Sequence, residues 1–324
     1  MDMKPLCIVY ATDDGYLMPT MVAVASALAW AADVSSVRVH ILDTGIADAG
    51  WDDFEKNLRG HFGRAFGLTR HKIDQALFSG FKTWHGSVGT YARLVIPDLI
   101  PDADWCVYCD GDTLFTDDPS KLQQVFDSRY AIQGHADWQI PEMNQSRKEW
   151  FERNGLGWVP EQYVCAGFLL MNLDWFRKND GAKRCLEFIR QHSDVVHPDQ
   201  DALAYVCRGH IGILPDEWGR FSWDAFRNGR PGCLHYASDL PWRLMTNKYL
   251  DYNDAHKLWF DCAREMLGLR MRDLLNPPLR PFVMLRKLFF QGVFKFLSRL
   301  VVRGLIPGGA LKEYCIRHYE CVRE

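Results

Sequence analysis

Short apolar runs alternate with longer segments of helical period along most of the chain. PLCIVYAT (5–12) is apolar almost throughout, as a parallel strand buried on both faces requires. TDDGY follows as a turn, and MPTMVAVASALAWAA (18–32) reads as a buried helix. VRVHILDT (37–44) is a second strand. AGWDDFEKNLRGHFG (49–63) is an amphipathic helix closed by glycine, and LTRHKI (68–73) a third strand. TYARLVIPDLI (90–100) predicts a helix stopped by its proline, DADWCVYCDGD (102–112) a strand, and PSKLQQVF (119–126) a helix with proline near its start. The polar stretch 137–162 reads as a long connection of the kind that covers an active site. YVCAGFLLMNLDWFRKND (163–180) is a strand leading into a helix, and HPDQDALAYVCRG (197–209) opens another helix. IGILP is a short strand, and CLHYASDLPW (233–242) follows a loop rich in aromatics and glycine.

Strands alternating with helices predict an α/β fold built from right-handed βαβ units in an open, doubly wound sheet. Ligands bind such sheets outside the carboxyl ends of the strands, and TDDGY and DGD both fall at such ends. Neither GxGxxG nor GxxxxGK[ST] occurs, so the dinucleotide fingerprint and the P-loop are excluded.

The chemistry concentrates at Asp110-Gly111-Asp112. Along an extended strand end, residues i and i+2 face one side, so the two carboxylates converge, and Gly111 permits close backbone approach. Two like charges in one place call for a cation. Hard divalent ions such as Mg²⁺ or Mn²⁺ take one or two carboxylates together with phosphate oxygens. The plain alternative is a solvated turn with an Asp cap for the following helix. His235 ends a short apolar run and is either a core histidine or a third ligand that suits Mn²⁺. Asp199, Gln200 and Asp201 open a helix. They are either first-turn acids that complement its dipole or a second polar cluster of the site.

Five segments in order, IVYATDDGY, TYARLVIPDLI, VYCDGDTLF, CAGFLLMNLDWFR and HPDQDAL with CLHYASDLPW after it, resemble retaining glycosyltransferases of family 8. That group contains bacterial lipopolysaccharide galactosyl- and glucosyltransferases and glycogenin. The resemblance spans about residues 6–242. It implies a GT-A fold with a Rossmann-like mixed sheet and helices on both faces, a UDP-glucose or UDP-galactose donor, and Mn²⁺ or Mg²⁺. Carried over, Asp110, Asp112 and His235 match metal ligands. Ala11, Asp13 and Tyr16 match positions around the uridine, and Arg93 a residue near the diphosphate and sugar. Asp199 and Gln200 match positions beside the transferred sugar, Gln200 on its β face. Gly111 belongs to the same donor-binding turn. Two departures stand out. Cys165 replaces the usual Asn before Ala166-Gly167, and Leu240 stands where HYxGxxKPW carries a diphosphate-contacting lysine, with Arg243 just beyond.

Between Asp273 and Glu313 there is no acidic residue, while Arg280, Arg286, Lys287, Lys295, Arg299 and Arg303 interleave with Phe282, Leu285, Leu288, Phe289 and Phe296. This shift divides a GT-A domain (1–272) from a basic, aromatic helical region (273–324). That region is either a subdomain with a solvated basic face or an amphipathic attachment to an anionic membrane and its glycolipid acceptor. Net charge −3 gives no nucleic-acid signature. The opening segment has no long apolar stretch, and ten scattered cysteines, several in apolar runs, read as reduced thiols of a cytoplasmic protein. Cys106 and Cys109 form a CxxC, but in a strand they face opposite sides and cannot easily share a metal. The expected activity is hexosyl transfer to a lipopolysaccharide-core or similar glycan. The alternatives are a nucleotide-sugar hydrolase and a non-catalytic binding protein on the same fold.

Overall fold

The structure is a computed structural model that describes residues 5–83, 87–137, 141–227, 229–237, 239–243 and 253–275. The basic, aromatic segment, and with it the membrane-attachment expectation, lies almost wholly outside these residues. The first half of the chain forms β1 (Leu6–Thr12), α1 (Leu17–Trp30), β2 (Val37–Asp43), α2 (Asp48–Phe62), β3 (Gly67–Lys72), α3 (Ile96–Leu99), β4 (Trp105–Asp110), β5 (Thr113–Phe115) and α4 (Leu122–Val125). There follow β6 (Ile132–Ala136), α5 (Pro141–Arg153), β7 (Val164–Asn172), α6 (Leu173–Lys178), α7 (Gly181–Gln191), α8 (Pro198–Val206), β8 (Ile211–Ile213), β9 (Trp218–Phe221), β10 (Cys233–His235), α9 (Asp254–Leu267) and α10 (Met271–Leu274).

The continuous apolar runs have a simple cause: both faces of the main sheet are covered. On β1, Leu6, Ile8 and Tyr10 face one core, and Cys7 and Val9 face the other. β4 divides in the same way, Val107 and Cys109 against Cys106 and Tyr108, so the two cysteines of CxxC do point to opposite sides. Fully burying each such side chain contributes about 1.5–3 kcal/mol. The first core extends through α1 and α9 to Leu274 and Leu275, so packing continues past the predicted boundary at 272.

Seven strands pair in the order β3-β2-β1-β4-β7-β6-β8, and three more form a small sheet β5-β10-β9. β1 to β4 run parallel, whereas β7 is antiparallel to both β4 and β6. The sheet is therefore mixed. The reversal brings the start of β7 to the carboxyl end of β4, beside the end of β1.

Two local expectations change. TYARLVIPDLI is not one helix stopped by Pro97. It is a 3-10 helix (Gly89–Val95) that passes into α3, where Pro97 occupies the first turn. Proline fits there because the first turn leaves its N–H groups unpaired in any case. The 137–162 connection is not structureless either, since it contains α5. Its polar composition hides the helix, which is held by a few residues such as Arg147, Trp150 and Phe151, all buried.

Candidate active site

β4 delivers Asp110 at its end, and Gly111 turns the chain directly over α1. A side chain at Gly111 would collide with the Thr20 hydroxyl. Thr113 Oγ1 closes the turn by donating to the Asp110 carbonyl at 2.9 Å. The β5–β10 register then places His235 opposite Thr113, and the Tyr236 N–H donates to the Asp112 carbonyl at 2.9 Å. One ligand atom from each of Asp110, Asp112 and His235 falls within 4.8 Å of the others. Thus a strand pairing far along the sequence completes the three-residue cluster.

Asp112 and His235 are buried, with His235 Nε2 3.3 Å from Asp112 Oδ1. That carboxylate oxygen has no hydrogen-bond partner among the described residues. Burying an acceptor without a partner is costly, so its bonding capacity points to a ligand. The wall opposite is backbone. A Cβ on Gly167 would approach His235 Nε2 to 2.6 Å and Asp110 Oδ2 to 2.8 Å. Two carboxylates and one imidazole are a fitting donor set for Mn²⁺. Burial, followed by the charge of Asp112, pushes the Asp110 carboxyl above its usual range, against the pull of Arg93 and His235. Burial works against charge on His235, but the Cys165 sulfur and the Asp112 carboxylate together drive the imidazole well above its ordinary value.

Arg93 links the strand end to α8. Its Nη2 donates to Asp110 Oδ1 at 2.9 Å, its Nε lies 3.1 Å from Asp199 Oδ2, and its Nη1 donates to the Ala166 carbonyl. Burial disfavours its charge, yet the Asp110 and Asp199 carboxylates hold the guanidinium charged. Tyr108 supports the same corner, donating to Asp110 Oδ1 at 2.7 Å while its ring lies 4.5 Å beneath the Arg93 guanidinium. Gln200 is fixed at both ends. Its Oε1 accepts the Ala166 N–H at 2.9 Å, and its Nε2 donates to Asp137 Oδ2 at 2.7 Å.

Behind Gln200 lies a second buried polar cluster. Arg147 Nη1 donates to Asp137 Oδ2 at 3.0 Å, and its guanidinium lies 4.7 Å from the Tyr163 ring centre. The Tyr163 hydroxyl donates to Asp201 Oδ1, whose other oxygen accepts the His197 N–H at 2.8 Å. Burial raises the Asp201 carboxyl to about 6 despite these bonds.

In the first loop, Ala11 pairs in register with Asp110, and the Tyr16 N–H donates to Asp13 Oδ1 at 3.2 Å. Tyr16 meets Trp242 edge to face at 5.6 Å, and the Arg243 guanidinium lies 5.8 Å from its ring centre. Burial and the Asp112 charge both push the Tyr16 phenol up. Leu240 is buried in the core and offers no charge. Cys165 Sγ lies 3.4 Å from His235 Nδ1, so the residue in place of Asn backs the candidate ligand.

The cluster therefore unites Asp110, Asp112 and His235 directly, joins Asp199 to them through Arg93, and sets Gln200 one residue further along α8. Sequence reasoning missed Tyr108, Gly167, Asp137, Arg147 and Tyr163. Only Tyr108 carried a signal, since it precedes Asp110 by two and shares its strand face.

The mixed sheet and the small second sheet define a GT-A fold. The family model for glycosyl transferase family 8 matches residues 7–228, and the chain belongs to that family. Crystals of the galactosyltransferase LgtC with donor and acceptor sugar analogs are similar at TM-score 0.67 and 26% identity, over 82% of this chain and 97% of that one. An active-site mutant of LgtC is similar at TM-score 0.68 and 25% identity, over 83% and 100%. The glycosyltransferase GlyE of Streptococcus pneumoniae, at TM-score 0.59 and 18% identity over 85% of this chain and 63% of that one, shares the fold. By sequence, a glycosyltransferase-type protein of Haemophilus influenzae is 26% identical over 129 residues, 40% of this chain and 38% of its own length. Glycosyltransferase GlyB of S. pneumoniae is 22% identical over 191 residues, 54% of this chain and 42% of its own length. The match thus spans about two fifths of these two relatives.

Proposed function

We propose that this glycosyltransferase is a divalent-cation-dependent, retaining hexosyltransferase. It moves glucose or galactose from a UDP-sugar to a lipopolysaccharide-core or similar glycan. The observation that carries this reading is the convergence of Asp110, Asp112 and His235, in which the buried Asp112 Oδ1 faces His235 at 3.3 Å and has no hydrogen bond among the described residues. Asp110, Asp112 and His235 would hold Mn²⁺ or Mg²⁺, which supplies positive charge to a departing diphosphate. Arg243, beside Tyr16, is the cation suited to take over from the lysine replaced by Leu240.

Gln200 is a poor nucleophile, and its amide is held by the Ala166 N–H and Asp137. Asp199 is paired with Arg93. These contacts favour attack from the leaving-group side. The sugar C1–O(phosphate) bond breaks, the acceptor oxygen bonds C1 on the same face, and the acceptor proton passes to the departing phosphate. Asp199 and Gln200 orient the sugar. A glycosyl adduct trapped on Asp199 or Asp201 and seen by mass spectrometry would overturn this route.

The deciding experiment is calorimetric titration of UDP with and without Mn²⁺, beside an Asp110→Asn/Asp112→Asn variant. Binding that needs both metal and carboxylates supports the reading. Absence of UDP binding in every condition favours a non-catalytic protein, for which the buried Leu240 is the supporting observation. Acceptor-independent release of free sugar would instead mark a nucleotide-sugar hydrolase. Among the described residues no helix is long and apolar enough to cross a membrane. The basic, aromatic composition after residue 273 supports attachment to the surface of an anionic leaflet on the cytoplasmic side. Truncation there should abolish co-sedimentation with anionic liposomes.

A further inference from the structure

Six large hydrophobic side chains are exposed among the described residues, and three of them, Ile213, Trp223 and Phe226, come from the stretch between the end of β8 and the approach to β10. Trp223 is 45% exposed, yet its ring is not loose. It stacks on Phe221 with centroids 4.5 Å apart and planes 10° from parallel. Phe221 in turn stacks on His235 at 5.8 Å and 29°, and meets the edge of His135 at 5.4 Å. An aromatic ladder therefore runs from a candidate metal ligand to solvent in two ring contacts.

The loop bearing Trp223 is braced from beneath. Arg220 is buried and donates through Nη1 to the carbonyls of Ala225 and Gly229 at 3.0 and 2.9 Å. Its Nε reaches the Asp216 carbonyl and its Nη2 the Asp216 carboxylate, each at 3.0 Å. The other Asp216 oxygen lies 3.4 Å from His135 Nε2. Beside Trp223, the buried Ser222 Oγ has no hydrogen-bond partner among the described residues. The indole is half-exposed and held flat, one ring contact from Phe221 and two from His235. It suits a ligand with an apolar face and a polar rim. A pyranose is such a ligand. Its axial C–H groups meet the negative face of the ring, and its equatorial hydroxyls remain in water.

We infer that Trp223 is a stacking platform for a sugar ring of the acceptor, a subsite that sets acceptor preference beside the metal cluster. This rests on the transferase reading above. Phe221, stacked between Trp223 and His235, fixes the platform at a constant distance from the candidate ligand.

The test is saturation-transfer NMR with lactose, maltose and gentiobiose on the full chain with UDP and Mn²⁺, repeated on Trp223→Ala and Trp223→Phe. UDP affinity is measured in parallel by calorimetry. The expected result is transfer to the ring C–H protons of at least one sugar. That signal should fall about tenfold or more in Trp223→Ala, as the loss of a stacked aromatic does elsewhere. It should be largely kept in Trp223→Phe, with UDP affinity equal in all three proteins. Sugar signals that do not depend on Trp223, or no sugar signal at all, overturn the platform, whatever UDP does. A Trp223-dependent sugar signal without any UDP binding instead overturns the transferase reading and leaves a glycan platform standing.

Discussion

Two buried polar clusters lie at the same end of the sheet, and they are built on opposite terms. Around Asp137, Arg147, Tyr163 and Asp201, each carboxylate oxygen named above is met by a donor from the protein. Around Asp110, Asp112 and His235, like charges converge, and the carboxylate oxygen that faces His235 has no hydrogen bond among the described residues. In the first cluster these carboxylates are met from within the protein, which ties α5 and α8 to the ends of β6 and β7. The second turns unmet bonding capacity towards whatever binds. Within one site, polar burial serves as framework where it is satisfied and as a receptor where it is not.

The sharpest way to break this contrast is to neutralise the receptor. Asp110→Asn/Asp112→Asn should lower transfer by about a thousandfold or more, since it removes the charge that stabilises the leaving group. Activity assays and Mn²⁺-dependent UDP calorimetry read it. The framework should respond the other way. Arg147→Met leaves Asp137 buried beside a lost cation and should cost about 3–5 kcal/mol in urea unfolding, the usual penalty for removing half of a buried pair. If its stability is unchanged, the distinction between the clusters fails.

Asp201 sharpens the comparison through pH. Its folded value of about 6 lies above the value of about 3.9 for a free carboxyl. Its contribution to stability is therefore full below pH 4 and is lost as pH rises through about 6. Measured as the difference between wild type and Asp201→Asn, unfolding stability should shrink by about 2–3 kcal/mol from pH 4 to pH 7. Gln200 bridges the two clusters and should divide their effects. Gln200→Ala should lower kcat by about 10–100-fold through a misplaced sugar, with UDP affinity unchanged. The smallest effect belongs to Arg243→Ala, which should weaken UDP about tenfold, with Arg243→Lys recovering part of it.

Much of the receptor was legible in the chain and little of the framework. Asp110 and Asp112 were legible as a carboxylate pair closing an apolar run, although β4 stops at Asp110 and a turn, not an extended strand end, brings Asp112 round. Apolar runs marked β1, β4 and β7. His235 could be placed only by resemblance, because its approach depends on a three-residue pairing between β5 and β10. Asp137 and Arg147 gave no local signal. They lie in a polar stretch where neither strand nor helix period stands out, and they meet each other, Tyr163 just before β7 and Gln200 of α8 only in the folded chain. The proline in α3 misled in a simpler way, since proline opens a helix as readily as it ends one.

The bare backbone at Gly167 has a consequence beyond this chain. Replacing that glycine by alanine would keep both aspartates and the histidine in the sequence, yet drive a methyl group into His235 and Asp110, so that the ring or the strand must give way in the space the three ligands share. A gene copy with that single change should keep the Asp-Gly-Asp turn and the histidine and yet lose its cation-dependent transfer. Position 167 can thus tell a working copy from a relic that motif searches would count as intact.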